Sequence, residues 1–340
     1  MGTAGGTWGG MERHTVDLAG EMALSHEVHL LADKGYQSKI PTSVLFHEVD
    51  MAKSRRHPFL WIQLRSLLKA IRPEIAHAQG AKAAHLLSSH AGMLRKLGTR
   101  TIGTVHGTKT KHKAYQRLDG VIVVSRDIAA RIHHNTVEVI PNGIAQLELR
   151  EDALAACKAE RRRYKGQLVL AIGRLAPVKG YDILLQAWPQ NTDSHLLILG
   201  EGPQREALQQ QIDDLGLSEK ATLGGHSSTV PEWLSLADAM VISSRREGFP
   251  YALIEALQIG CPVLSTSVSG VSELLNDTFQ AKAESVASLQ ALLSRELPEL
   301  STLKSRQADA IHRAREKYTL ASMTRSTENF YQYIRDSHDF

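Results

Sequence analysis

The sequence predicts an α/β protein built from two doubly wound domains. Three observations carry this prediction. Short apolar runs alternate with longer amphipathic ones along the whole chain, the β-α order that produces parallel sheets. Most of the short runs are continuously apolar, as strands buried on both faces read. The runs also fall into two groups, divided by a polar segment at roughly 145–166 that carries the basic stretch ERRRYK. A chain of 340 residues holds two domains of ordinary size. Two such sheets would turn their carboxyl ends toward a shared cleft, where ligands of this architecture bind.

The N-terminal group opens with a glycine loop, GGTWGG, which runs through Gly9 and Gly10 into the helix MERHTVDLA. A helix start behind glycines is a candidate anion site. No apolar run precedes the loop, so the first strand of this domain is expected to be missing. The strands that follow are EVHLLA, EIAHAQ, TIGTVHG, GVIVVS and VEVIP, with helical patterns at 58–72 and 126–134. His106 closes the run TIGTVHG, so it sits at the carboxyl edge of a strand and can face the cleft. The inter-domain connection falls just after IPNG. In the second group LVLAIG, HLLILG, ATLGG, AMVISS and PVLST read as strands, and helical patterns occupy 180–188, 203–215, 230–237 and 251–259.

Composition excludes several classes. Apolar and charged contents of 42% and 22% belong to a soluble globular chain. Two cysteines, Cys157 and Cys261, have neither a pairing pattern nor metal-ligand spacing, which fits a reducing compartment. The N-terminus lacks a secretory pattern and no run is long enough to span a bilayer, so a cytoplasmic protein is expected. Charge is uneven: residues 1–150 contain 20 Lys/Arg and 12 Asp/Glu, and the remainder 20 and 24. A basic N-terminal half can meet an anionic partner, although an ordinary solvated surface accounts for charge alone. Few aromatics accompany the cations, which argues against nucleic acid.

Two strand-loop-helix units carry the chemistry. In LVLAIGRLAPVKGYDILLQAW, Arg174 and Lys179 lie in the loop leaving the strand, suited to a diphosphate. In AMVISSRREGFPYALIEAL, Glu247 sits in the loop and Glu255 about one turn into the helix. Gly248 allows close backbone approach, and Pro250 suits the first turn of a helix whose free N–H groups favour an anion. Carboxylates accept hydrogen bonds from vicinal hydroxyls. Two carboxylates flanking an anion cradle match a nucleotide-sugar, although on spacing alone two unrelated surface glutamates explain the pattern as well. HLLILGEGPQREAL is a third unit. Gly200 and Gly202 fail the dinucleotide fingerprint, and Gly202 reads as a tight turn beside a base or ribose. No D-x-D pair, phosphate loop, G-x-S-x-G elbow or HExxH is present.

These motifs together resemble the retaining glycosyltransferases of family 4. The match rests on REGFPYALIE between LADAMVISS and ALQIGCPVLST, and on GRLAPVKG, LILGEGPQREAL, RPEIAHAQG, VHG, VSRDIA, VIPNGI and WGGMERHTVDLA, in family order over residues 9–275. The resemblance implies a GT-B fold of two Rossmann-like domains, with an acceptor-side domain at 1–145 and a nucleotide-sugar domain at 146–317. A terminal helix at 318–336 would cross back to the first domain. It implies that Arg174 and Lys179 bind the donor diphosphate and that Glu255 binds ribose. Glu247 would meet the transferred sugar, with Gly248 and Phe249 lining its pocket. Pro250, Tyr251 and Ala252 would stand at the helix start beside phosphate or sugar. His106 would face the reacting sugar, and Gly10 would approach the donor phosphate. The co-substrate is a nucleotide-sugar, UDP-linked by preference, with no metal and no other cofactor. Departures are the absent opening strand and Ser269-Gly270, where two glycines are common. A nucleotide-sugar epimerase of the same fold and a non-catalytic GT-B binding protein are the competing readings.

The expected acceptor is a glycan or lipid-linked glycan, in bacterial envelope polysaccharide or lipopolysaccharide synthesis. HPFLWIQLRSLLKAIRP places Leu60, Leu64, Leu67, Leu68 and Ile71 on one helical face and Arg65, Lys69 and Arg72 on another. KTKHKAYQR adds a second basic cluster. An anionic membrane surface is therefore a candidate partner, against the plainer reading of a helix packed on a sheet.

Overall fold

The computed structural model describes residues 8–108 and 112–337. The chain forms two compact units, Met1–Gly143 with Thr319–Phe340 as unit 1 and Ile144–Tyr318 as unit 2. Unit 1 contains β1 (His29–Ala32), β2 (Leu45–Glu48), β3 (Ile75–Gln79), β4 (Arg100–Val105), β5 (Gly120–Val123) and β6 (Val137–Val139). These lie in a two-stranded sheet, β1-β2, and a four-stranded sheet, β3-β4-β5-β6. All their pairings are parallel. β2, the run LFHE, is too short and too exposed to stand out in the sequence. Residues 5–7 of the glycine loop and Lys109, Thr110 and Lys111 of the second basic cluster lie outside the described residues.

The helices of this part of unit 1 are α1 (Gly10–Met22), α2 (Pro58–Ile71), α3 (Gly80–Lys96) and α4 (Arg126–Ala129). Helical spacing gives α1 two apolar flanks. Val16 and Ala19 pack with Leu30 and Ala32 of β1. Leu18 and Met22 pack with Ile102, Ile122 and Ile140 and with Phe330 and Ile334 of the chain's last helix. In α2, Leu60, Leu64 and Leu68 are buried among Val49, Met51 and Leu86. Leu60, Leu64 and Leu68 of the apolar face read from the sequence are therefore core residues.

Unit 2 opens with α5 (Glu151–Arg161), so the basic stretch that divides the two strand groups belongs to a helix end and its turn. Helix α5 packs on α8 below, where Cys157 Sγ meets Thr229 Oγ1 at 3.3 Å. There follow β7 (Gln167–Ile172), α6 (Tyr181–Ala187), β8 (Ser194–Leu199), α7 (Arg205–Asp214), β9 (Ala221–Gly225) and α8 (Val230–Leu236). Next come β10 (Ala239–Ile242), α9 (Tyr251–Ile259), β11 (Val263–Thr266), β12 (Gln280–Ala281), α10 (Val286–Glu296), α11 (Leu300–Arg306) and α12 (Ala308–Lys317). The sheet order is β12-β11-β10-β7-β8-β9. The first strand of the unit, β7, thus lies in the middle, and the winding reverses between β7 and β10. The central strands are buried throughout, as their unbroken apolar runs require.

The last helix, α13 (Leu320–Asp336), belongs to unit 1. Thr319 caps it by accepting a hydrogen bond from the Ser322 N–H. The outgoing and returning chains pass at Gly143, where a Cβ would stand 2.1 Å from the Thr319 carbonyl oxygen. Only glycine allows that passage, which gives the last residue of IPNG a packing reason.

Candidate active site

A doubly wound sheet binds its ligand outside the carboxyl ends of the strands, where the winding reverses. In unit 2 that point lies between β7 and β10, and the loops leaving these two strands carry the predicted cations and Glu247. Backbone contacts tie the loops together. Gly180 adopts a left-handed φ of 66°, and a Cβ there would lie 2.2 Å from the Ser243 carbonyl oxygen. The Ser243 hydroxyl donates to the Lys179 carbonyl at 2.9 Å, and the Arg245 N–H donates to the Val178 carbonyl at 2.8 Å. The Arg245 guanidinium grips both Asp182 oxygens, at 2.8 and 2.6 Å. This bidentate pairing holds the Asp182 carboxyl below its ordinary range.

On this frame Lys179 Nζ donates to Glu247 Oε1 at 2.7 Å, and the Ser244 hydroxyl donates to the same oxygen at 2.7 Å. Both ends of the ion pair are partly exposed. The Tyr181 hydroxyl beneath is buried with no hydrogen-bond partner among the described residues. Burial, and then the Glu247 charge, push its pKa up. Arg174 is exposed. The third loop joins the group: the Leu175 N–H donates to the Glu201 carbonyl at 2.9 Å, and the Gln204 N–H donates to the Leu175 carbonyl at 3.1 Å. Gly202 is thereby set beside the first loop.

Pro250 caps α9 and Tyr251 begins it, with Ala252 in its first turn and Glu255 half-buried a turn later. Gly248 is half-buried in the loop before it. Phe249 is buried and stacks on Tyr318 with ring centroids 5.5 Å apart. Its ring is a packing group that braces the loop. Sequence reasoning missed Ser244, Tyr181 and the Arg245–Asp182 clamp, because none belongs to a spaced motif.

In unit 1, His106 directly follows β4 and its Nε2 lies 2.7 Å from Gln79 Oε1, at the end of the neighbouring β3. His14 of α1 packs edge-on against it, with centroids 4.7 Å apart. Burial lowers the pKa of His14 to about 4, against the opposing effect of the hydrogen bond that its Nδ1 makes to the Asn142 amide oxygen. Burial and then the neighbouring His14 lower that of His77 to about 3. Burial, with His14 and His77 nearby, holds His106 well below 6.5. All three rings are neutral near pH 7. Gly10 begins α1 in this unit. The polar residues inside IAHAQ were the available signal for this cluster, since a strand covered on both faces has little reason to carry them.

Comparisons with known proteins follow the same division. Residues 8–145 match the model of Glycosyltransferase Family 4. Residues 156–317 match that of Glycosyl transferases group 1. The lipopolysaccharide core biosynthesis glycosyltransferase LpsD of Rhizobium meliloti is 24% identical over 286 residues, 81% of this chain and 80% of the relative. A Campylobacter jejuni 4-alpha-N-acetylgalactosaminyltransferase, named for a diphospho-undecaprenol-linked saccharide, is 25% identical over 295 residues, 79% of this chain and 80% of its own. The crystal structure of Anabaena HepE in complex with UDP and glucose superposes with a TM-score of 0.81 at 18% identity, covering 97% of this chain and 98% of that one.

Proposed function

We propose that this chain is a GT-B glycosyltransferase of family 4 type that moves a hexose from UDP to a glycan or lipid-linked acceptor, with retention at the anomeric carbon. The observation that carries this reading is the junction of the cation-bearing and glutamate-bearing loops at the winding reversal of unit 2. Breaking the sugar–phosphate bond separates a sugar cation from a diphosphate. Groups already placed on the leaving group are therefore the main catalytic device. Arg174, Lys179 and the start of α9, at Pro250, Tyr251 and Ala252, take that role. Glu255 accepts from the ribose hydroxyls, with Gly202 at the base side. Glu247 accepts from hydroxyls of the transferred sugar beside Gly248 and Phe249. Within unit 1, His106 is the candidate for a contact with a sugar hydroxyl. The cation set makes a metal redundant, and the departing phosphate can take the acceptor's proton. The UDP and UDP-glucose held by HepE favour a UDP-hexose. The names of LpsD and the Campylobacter enzyme favour an envelope glycan as product.

The same reading places the enzyme at the inner face of the cytoplasmic membrane. Residues 51–72 contain six Lys/Arg and no Asp/Glu. Phe59 and Ile62 are 58% and 61% exposed on the outer side of α2. Lys53 lies 4.6 Å over the Phe59 ring. A shallow groove of about 500 Å³ opens beside them, lined by Phe46, Glu48, Gln63 and Leu67 among others. Exposed apolar side chains on a basic segment suit an anionic lipid surface. Among the described residues no helix is long and apolar enough to cross a membrane.

Proton NMR of UDP-glucose turnover tests the transfer reading. Slow hydrolysis by the enzyme alone should release sugar first as the α-anomer. Appearance of a second nucleotide-sugar would indicate the epimerase, and β-anomer released first would contradict retention. A complete lack of turnover with and without undecaprenyl-linked acceptors would favour the non-catalytic reading.

A further inference from the structure

The histidine cluster of unit 1 is wired to the end of the chain. His77, on β3, places Nδ1 2.6 Å from the Tyr331 hydroxyl of α13 and Nε2 2.7 Å from the Thr104 hydroxyl of β4. The Gln79 amide nitrogen lies 3.4 Å from His77 Nε2, and its oxygen lies 2.7 Å from His106 Nε2. With the Gln79 oxygen facing His106, one assignment of protons satisfies all four contacts. The Gln79 oxygen only accepts, so neutral His106 carries its proton on Nε2. The amide nitrogen only donates, so His77 Nε2 accepts, from Gln79 and from Thr104. His77 then carries its proton on Nδ1 and donates it to Tyr331. The assignment leaves Nδ1 of His106 as an acceptor, and no described residue bonds it.

We propose that Gln79 is a positioning residue that fixes His106 as the Nε2–H tautomer, and that His77 and Tyr331 fix Gln79 in turn. The ring then offers its Nδ1 lone pair to a hydroxyl of the ligand, a sugar hydroxyl on the reading above, on which the functional meaning of the wiring rests. The alternative is an amide of Gln79 rotated by half a turn, with the roles of His77, Thr104 and Tyr331 reversed. It would then donate to His106 Nε2, move the ring proton to Nδ1 and remove the acceptor. The contact with Tyr331 gives the returning helix a task beyond packing. It links the orientation of a site residue on β4 to a helix more than two hundred residues later in the chain. His14 takes part differently: its Nδ1 meets Asn142 Oδ1 at 3.0 Å, and its Nε2 is buried without a hydrogen-bond partner among the described residues. It packs against His106 and keeps that side of the ring dry.

The test is two-bond ¹H–¹⁵N correlation NMR on histidine-labelled protein at pH 7.5, where the tautomer of each ring is read without any substrate. The intact protein should show His106 as Nε2–H and His77 as Nδ1–H. Gln79→Met keeps the side-chain length and removes both bonds, and Tyr331→Phe removes only the distant partner. In each variant the His106 tautomer ratio should shift by about fivefold or more, the weight of one ordinary hydrogen bond. A His106 ring protonated on Nδ1 in the intact protein overturns the proposal, as does an unchanged ratio in Gln79→Met. Thermal stabilisation of the same samples by UDP-glucose is measured in parallel. A tautomer that responds while the donor has no effect would refute the donor assignment and leave the wiring standing.

Discussion

Lys179 and Glu247 are 68 positions apart in the chain and 2.7 Å apart in the fold. A half-exposed pair of this kind adds little to stability, about 1 kcal/mol or less. The wider set of ties explains its geometry, since the Ser244 hydroxyl and the Arg245–Asp182 clamp hold both loops whether or not the pair forms. Substitutions at these charges should therefore separate function from folding. Arg174→Ala removes an exposed cation with no protein partner among the described residues. It should leave Tm unchanged while lowering donor turnover by about a hundredfold, the usual cost of losing one preorganised group on a developing charge. Steady-state kinetics with a differential scanning trace checks both halves. Equal turnover by the variant would remove Arg174 from the leaving-group site.

At the scale of elements, the positions of loops matter more than their sequences. Gly180 forms the joint between the loop of β7 and that of β10. Gly180→Ala adds a methyl at a left-handed φ and drives it into the Ser243 carbonyl. A loss of about 2 kcal/mol or more is expected, with donor binding weakened in the same variant. Urea unfolding monitored by tryptophan fluorescence measures the first effect. Among helices, α10 and α11 are joined by Glu296, which is 1% exposed and receives Arg306 and Arg295. Burial alone would raise its pKa, but the two hydrogen-bonded guanidinium groups outweigh that and hold it below 4.5. A carboxyl lowered in the folded state contributes stability above its unfolded value, and that contribution fades as pH falls below it. Glu296→Gln should lower Tm at pH 7 and flatten its fall between pH 4.5 and 3.

The legible part of the fold follows the same division by element. Buried parallel strands announce themselves as apolar runs, so β7, β8 and β10 were readable to within a residue or two. The strands β2 and β12 were not, being short edge or near-edge pieces with no continuous run. Helix α3 was also missed: its buried stripe mixes Leu86, Leu87 and Leu94 with Ala84, His90 and Ala91, which blurs the apolar period. At the site, Arg174, Lys179, Glu247 and Glu255 were readable because each lies in a strand-loop-helix unit. Ser244 and Tyr181 were not. Their place depends on which two loops adjoin, and that follows from the winding order of the sheet rather than from local spacing. The return of the last helix to the first unit was implied by the family resemblance and is observed, but the Gln79–His77–Tyr331 wiring that depends on it lies in no local pattern.

For the whole molecule, the two units differ in how they meet acid. Unit 1 keeps His14, His77 and His106 neutral, with pKa values of about 4 and about 3 for the first two. Their unfolded value is near 6.5, so the unfolded chain binds protons that the folded unit does not. Stability from these rings is complete above pH 6.5 and declines as pH falls from 6.5 toward 4. The lowered carboxyls of unit 2, Asp182 and Glu296, begin to lose theirs only at lower pH. Hydrogen-exchange mass spectrometry at pH 7 and pH 5, corrected for intrinsic rates, should show β3 and β4 losing protection before β10 and β11. The opposite order would mean that the histidine cluster is not the acid-sensitive part.

The central claim is a nucleotide-sugar site at the winding reversal of unit 2. Its most direct test is thermal unfolding of the intact protein with UDP-, GDP- and ADP-sugars, since a ligand of the folded state raises Tm in proportion to its affinity. UDP-hexoses should give the largest shift, and Lys179→Ala and Glu255→Ala should each abolish it. A shift in both variants equal to that of the unsubstituted protein would place the donor elsewhere.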